Sequence, residues 1–202
     1  MPEKIYVGDL ESLVENKKVE GKQLKIGNEN FYKITNVDKM RPFFMSIVSN
    51  SNHWMFISST GSLSAGRKNS EFSLFPYYTD DKITESSDTT GSKTIILVKK
   101  NNKNFLWEPF SNRYEGAYKV SRNIYKNTIG NKVIFEEINH DLNVEFSYQW
   151  NSSNIYGFVR KSSIKNNSND DLDINILDGI QNILPYGVGE GLQIAQSNLV
   201  DA

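Results

Sequence analysis

Asn143-Val144-Glu145-Phe146-Ser147-Tyr148-Gln149-Trp150 (NVEFSYQW) alternates without a break. Successive side chains of an extended chain point to opposite faces, so Val144, Phe146, Tyr148 and Trp150 share one side. Asn143, Glu145, Ser147 and Gln149 share the other. One apolar and one polar face mark a half-buried antiparallel strand packed on a core. The pattern continues on both sides. Lys132 to Ile138 is predicted as the hairpin partner, with His140-Asp141 in the turn. Asn154 to Ser163 is the next strand, and the polar run 166–171 (NNSNDD) the next turn. After it, Leu172, Ile174 and Ile176 alternate with Asp173, Asn175 and Leu177.

Towards the N-terminus, Lys93 to Lys99 carries Thr94-Ile95-Ile96-Leu97-Val98, a buried strand. Lys100 to Lys103 turns the chain, and Asn104 to Trp107 returns as its partner. Shorter strands are predicted at Lys4 to Val7, Gln23 to Ile26 and Phe31 to Ile34. The stretch from Ile83 to Ser92 is polar and without period, and reads as an exposed loop. Many short strands joined by Asn- and Ser-rich turns predict an all-β fold, a large antiparallel β-sandwich. Residues 189–202 have helical period, with Leu192, Ala195 and Leu199 on one face, which predicts a short C-terminal helix. The expectation is therefore a single sandwich domain over 1–202.

The chain has 202 residues, enough for a sizeable core. Its 23 basic and 24 acidic residues leave a net charge of −1, which argues against nucleic acid as a partner. It has no cysteine, so it has neither disulfides nor thiolate metal sites. No histidine pair or acidic loop has metal-ligand spacing, so neither a metal nor another cofactor is expected. No apolar run has the length of a membrane span, and Met1-Pro2-Glu3-Lys4 does not open a signal peptide. A soluble, cytoplasmic protein is expected.

The densest chemistry lies between Met40 and Asp81. Phe43 to Val48 reads as a strand buried on both faces. Ser49 to Asn52 is a turn, His53 to Ile57 a second strand, and Thr60-Gly61-Ser62 another turn. Arg67 follows, then Phe72, Phe75, Tyr77 and Tyr78, then Asp80 and Asp81. Planar rings cover the C–H face of a sugar while guanidinium and carboxylates bond its hydroxyls. Arg67, Tyr77, Tyr78, Asp80 and Asp81 are therefore the candidate substrate-binding residues, against the plain alternative of a Tyr-rich connection. Residues 107–116 (WEPFSNRYEG) carry similar chemistry, the plain alternative being a packed loop with a solvated Arg113–Glu115 pair.

Two blocks carry a resemblance. The first is Ser46-Ile47-Val48-Ser49, His53 to Ser59, Gly61, Ala65 to Asn69, and Leu74-Phe75-Pro76-Tyr77-Tyr78-Thr79-Asp80-Asp81. The second is Leu177-Asp178-Gly179-Ile180-Gln181-Asn182-Ile183-Leu184-Pro185-Tyr186-Gly187-Val188. Both resemble the N-terminal region of bacterial proteins related to cellobiose phosphorylase. The resemblance implies a galactose-mutarotase-like supersandwich that forms one wall of an oligosaccharide site. It also implies a domain or subunit interface, with a homodimer allowed, and a C-terminal catalytic α/α barrel absent from this chain. Phosphorolysis would use residues of that barrel, so this chain is expected to be non-catalytic and no catalytic residue is assigned to it.

Other readings stay open. A mutarotase-like site would need His53, His140 and a carboxylate such as Glu108 to meet. A hydrolase would need two facing carboxylates. Asp80 with Asp81, and Glu136 with Glu137, are adjacent, and in extended chain would point to opposite faces. A free-standing carbohydrate-binding protein and a purely structural oligomerisation module are the remaining alternatives.

Overall fold

The computed structural model describes residues 5–7, 10–12, 17–76, 80–100 and 102–196, with side chains described for 17–76, 83–100 and 102–196. The strands are β1 (Ile5–Val7), β2 (Leu10–Ser12), β3 (Glu20–Ile26), β4 (Glu29–Thr35), β5 (Phe44–Ile47), β6 (His53–Ser58) and β7 (Leu63–Arg67). They continue as β8 (Gly91–Lys100), β9 (Lys103–Trp107), β10 (Val120–Asn127), β11 (Lys132–Asn139), β12 (Val144–Ser153), β13 (Gly157–Asn166) and β14 (Asp173–Gln181). Two short helices, α1 (Asp80–Glu85) and α2 (Glu190–Ala195), interrupt and follow them.

All pairings are antiparallel. A six-stranded sheet runs β13-β12-β11-β10-β4-β3, and two three-stranded sheets run β14-β8-β9 and β5-β6-β7. Among the described residues β1 and β2 pair only with each other. One buried cluster joins the three larger sheets. Ile124, Val133, Phe135, Phe146 and Trp150 enter it from the six-stranded sheet, Ile96, Val98 and Trp107 from the second, and Met55, Ile57 and Leu63 from the third. The architecture is the expected all-β sandwich with a short C-terminal helix. Among the described residues no helix is long and apolar enough to cross a membrane.

β12 shows why the pattern succeeds. Val144, Phe146, Tyr148 and Trp150 are all buried, and their partners on β11 are Asn139, Glu137, Phe135 and Val133. Phe135 stacks on Tyr148 with ring centroids 4.9 Å apart. The polar members of β12 stay on the outer face, where Glu145 pairs with Lys165 at 3.8 Å.

Several expectations need correction. β5 is not buried on both faces: it alternates, with Met45 and Ile47 turned to the core and Phe44, 46% exposed, and Ser46 turned outward. Residues 83–92 are not an exposed loop. Ile83 is buried in the last turn of α1, and β8 begins at Gly91. The polar groups there are satisfied from the end of β14: Gln181 Nε2 donates to Asp88 O at 2.9 Å, and Asn182 Nδ2 to Thr90 Oγ1 at 2.9 Å. The alternation does not show β10, since two of its inward positions, Arg122 and Lys126, are charged, while the polar Asn123 and Asn127 on its other face are buried and hydrogen-bonded. The C-terminal helix spans Glu190–Ala195 and buries none of its residues, so Leu192 and Ala195 do not form a docked face; Leu199 lies outside the described residues.

Candidate functional site

The core turns polar at one end of the sandwich. Along β11 the inward positions run Val133, Phe135, Glu137 and Asn139, so the strand that begins in hydrocarbon ends in carboxylate and amide. Glu137 is 1% exposed. Its Oε1 accepts from Trp107 Nε1 at 2.8 Å, and its Oε2 accepts from the Phe110 amide at 2.7 Å and Arg122 Nε at 2.7 Å. A buried carboxylate needs this many donors to offset its lost hydration.

Arg122 spends the rest of its guanidinium on the loop above. Nη1 donates to Asn112 Oδ1 at 2.7 Å and Nη2 to Ser111 O at 2.7 Å. The connection from β9 to β10 is thus fastened to two core strands by one ion pair. It is closed further by Tyr118, whose hydroxyl donates to Leu106 O at 2.8 Å, and by the Lys119 amide, which donates to Asp141 Oδ2 at 2.8 Å. Phe110 pays for the fastening with a left-handed backbone, φ +66°. For a bulky residue that conformation costs on the order of 1–2 kcal/mol. Its ring is held edge-on to Tyr148 at 5.1 Å and to Phe135 at 6.3 Å. Backbone strain of this kind clusters at ligand sites.

Beneath the loop lies a cleft of about 370 Å³, walled by Tyr114, Tyr118, Glu108, Asn112 and Glu115 of the loop and by Asp38 and Lys39 after β4. Four cationic side chains (Lys17, Lys39, Lys119, Arg122) face four carboxylates (Asp38, Glu108, Glu115, Glu137). Most are paired locally: Lys39 with Asp38 at 3.1 Å, Arg122 with Glu137, and Glu108 with Lys93 at 2.9 Å and Arg113 at 3.6 Å. Arg113 therefore pairs with Glu108 rather than with Glu115 as the sequence suggested. A second cavity of about 210 Å³ shares Asp38, Asn112 and Arg122 with the first and extends towards Thr60 and Pro42. The arrangement can bond hydroxyls and stack a ring on Tyr114. Both oxygens of Glu137 are committed to holding the loop.

Of the residues singled out by composition, Arg67 lies away from the cleft. Arg67 is exposed at the end of β7, opposite His53, and does not line the cleft. Tyr77 and Tyr78 lie outside the described residues. Asp80 and Asp81 open α1, so they follow a helical turn instead of alternating as in extended chain. The chain between runs back along β7: Ser73 bridges Gly66, the Leu74 amide donates to Ala65 O at 2.8 Å, and Ser62 and Thr60 bond the carbonyls of Ile83 and Thr84. Arg67 and the last turn of α1 thus stand at opposite ends of a five-residue strand, roughly 14 Å apart.

His53 and His140 do not meet either. His53 Nδ1 lies 2.6 Å from Ser51 Oγ, with its ring against Phe158 beside the start of β13. His140 Nε2 lies 2.9 Å from Ser121 Oγ, in the turn before β12. The length of β12, roughly 30 Å, separates those two places. Glu136 and Glu137 do point to opposite faces. Glu136 accepts on the outer face from Asn123 and Tyr125 and forms an ion pair with Lys33 at 3.6 Å. Burial and the Glu136 hydrogen bond push the Tyr125 phenol well above its usual range. Among the described residues no cluster of side chains is suited to hold a metal ion.

From the sequence Glu137 is weighed only as half of an adjacent carboxylate pair, and Arg122 not at all. The signal for Glu137 was present, because period two places it on the same face as Val133 and Phe135. A carboxylate on a core face needs a partner, and the partner lay on the strand that polar residues concealed. Compared with known proteins, the chain matches no family model and no curated protein.

Proposed function

We propose that this chain is a non-catalytic, carbohydrate-binding β-sandwich domain, and that the cleft under residues 108–119 receives a neutral oligosaccharide. The observation that carries the reading is the coincidence of a pinned, strained loop with an open polar cleft. Tyr114 offers a half-exposed ring, while Asn112, Glu115 and Asp38 offer hydrogen-bonding groups around it. The balance of four cations and four carboxylates favours a ligand without net charge.

The resemblance of the Ser46–Asp81 and Leu177–Val188 blocks to cellobiose phosphorylase-related proteins supports a place beside a catalytic barrel. In that setting Arg67, Tyr77, Tyr78, Asp80 and Asp81 belong to the surface that meets the barrel or its substrate. The galactose-mutarotase-like version of the sandwich and the cytoplasmic location are part of the same proposal.

Isothermal titration with a panel of neutral and acidic oligosaccharides tests it. Binding of a neutral member, weakened at least tenfold by Tyr114→Ala with an unchanged melting temperature, is the expected result. A panel with no binder, or a binder indifferent to Tyr114→Ala, would overturn it.

A further inference from the structure

The three larger sheets end in six strand edges, and five of them are closed. β3 carries Glu20, Lys22 and Lys25, and β13 carries Lys161 and Lys165, all exposed. β7 is covered by residues 73–75. On β9 the Tyr118 hydroxyl occupies Leu106 O, and on β5 the Lys126 ammonium occupies Ser46 O at 2.9 Å. These are the devices by which a sheet edge is kept from pairing with another chain.

β14 has an exposed charged side chain only at its first residue, Asp173, and none of the other devices along the rest of its length. It is nine residues long, and among the described residues nothing bonds its backbone on the side away from β8. Ile174, Ile176 and Ile180 lie on one face and Leu177 on the other; Leu177 is 71% exposed, Ile176 47% and Ile180 42%. Its one inward charge, Asp178, is neutralised by Arg160 and so does not blunt the edge.

We infer that β14 pairs antiparallel with β14 of a second copy of this chain, with Leu177 on the two-fold axis. The strand is self-complementary in that register. Leu177 meets its own copy, Ile174 meets Ile180, Asn175 meets Gly179, and Asp173 meets Gln181, so no like charges are opposed. Ile176 meets Asp178, whose carboxylate is already held by its own Arg160. Pairing of this kind is isologous and closes at two copies. It fuses the two three-stranded sheets into one, ordered β9-β8-β14-β14-β8-β9, and removes the open edge from both.

The absence of cysteine makes the register testable in the full chain. With Leu177 on the axis, the two Cα atoms of a Leu177→Cys variant lie about 4.5–5.5 Å apart, within disulfide reach. In Asn175→Cys the two thiols are held about 14 Å apart along the strands, beyond it. Light scattering on a sizing column at tens of micromolar should give twice the 23.1 kDa chain mass. Leu177→Lys should halve that mass while keeping its melting temperature within a few degrees of its monomeric baseline. Under oxidised glutathione Leu177→Cys should cross-link and Asn175→Cys should not. A monomeric wild-type chain, a dimer that survives Leu177→Lys, or equal cross-linking of the two cysteine variants would overturn the inference.

Discussion

Glu137 Oε2 holds the amide of Phe110 at 2.7 Å, and Phe110 holds a left-handed backbone in return. A fully buried carboxylate thereby fixes a bulky residue in a conformation it would not otherwise keep. Arg122 shares the same oxygen at 2.7 Å and carries the restraint outward to Ser111 and Asn112. The shape of the cleft depends on this arrangement.

Glu137→Ala should therefore be among the costliest single changes in the chain. It strands the Arg122 guanidinium, the Trp107 indole N–H and the Phe110 amide together. Removing one partner of a buried ion pair costs about 3–5 kcal/mol, and urea denaturation should show a loss of that size. A loss within the range of an ordinary surface substitution would mean that the loop is held by its ring packing alone.

A second ion pair ties the two layers at their open flank. Arg160 of β13 donates to both oxygens of Asp178 of β14, at 2.8 and 2.7 Å, and Ser162 and Thr94 add bonds at 2.6 and 2.7 Å. Burial alone would raise the Asp178 pKa. The hydrogen bonds from Arg160, Ser162 and Thr94, with the charge of Arg160, outweigh it and lower the carboxyl to about 2. An unfolded Asp titrates near 3.9. The stabilisation is therefore complete above about pH 4–5 and is lost as pH falls through 2. Asp178→Asn should cost about 1 kcal/mol at pH 7, allowing for solvent screening of a partly exposed pair. Its melting curve should converge on wild type near pH 2. Parallel curves down to that pH would show that Asp178 contributes nothing through its charge.

Phe146→Ala tests the core. Phe146 is fully buried, packs against Phe110 at 6.3 Å, and belongs to the strand on which the fold was read. Truncation should cost about 3–5 kcal/mol through lost burial and a residual cavity. A denaturation midpoint close to wild type would contradict the packing described.

The sandwich was legible because its alternating strands obey a local rule. Val144 to Trp150 is apolar at every second position, and the hairpins follow from the polar turns between such runs. Three features did not obey it. β10 hides because its core face carries charged residues whose partners lie on other strands, as Arg122 is paired with Glu137. Residues 83–92 look exposed because their partners, Gln181 and Asn182, lie far away in sequence. The cleft hides for the same reason: Glu137, Arg122, Asn112 and Asp38 are scattered along the chain and meet only through sheet pairing. Composition instead drew attention to Arg67–Asp81, where the described part, Ser73 and Leu74, lies against β7 and Arg67 stands at the end of that strand away from α1.

The isolated chain should show no turnover. Incubation with β-linked disaccharides and phosphate is expected to release no sugar phosphate, as befits a domain whose buried carboxylate is committed to structure. Reproducible phosphorolysis abolished by Glu108→Gln would contradict the assignment of a purely binding role.

The most direct test of the account is an amide-resolved NMR titration of the full chain with the neutral oligosaccharide panel. Saturable shifts concentrated at Phe110, Asn112, Tyr114 and Gly116 and at Asp38 and Lys39, with Arg67 and its neighbours unmoved in the isolated domain, are the predicted result. Shifts confined to the Arg67–Asp81 stretch, or none at any sugar concentration, would contradict the claim that the loop after β9 forms a carbohydrate site.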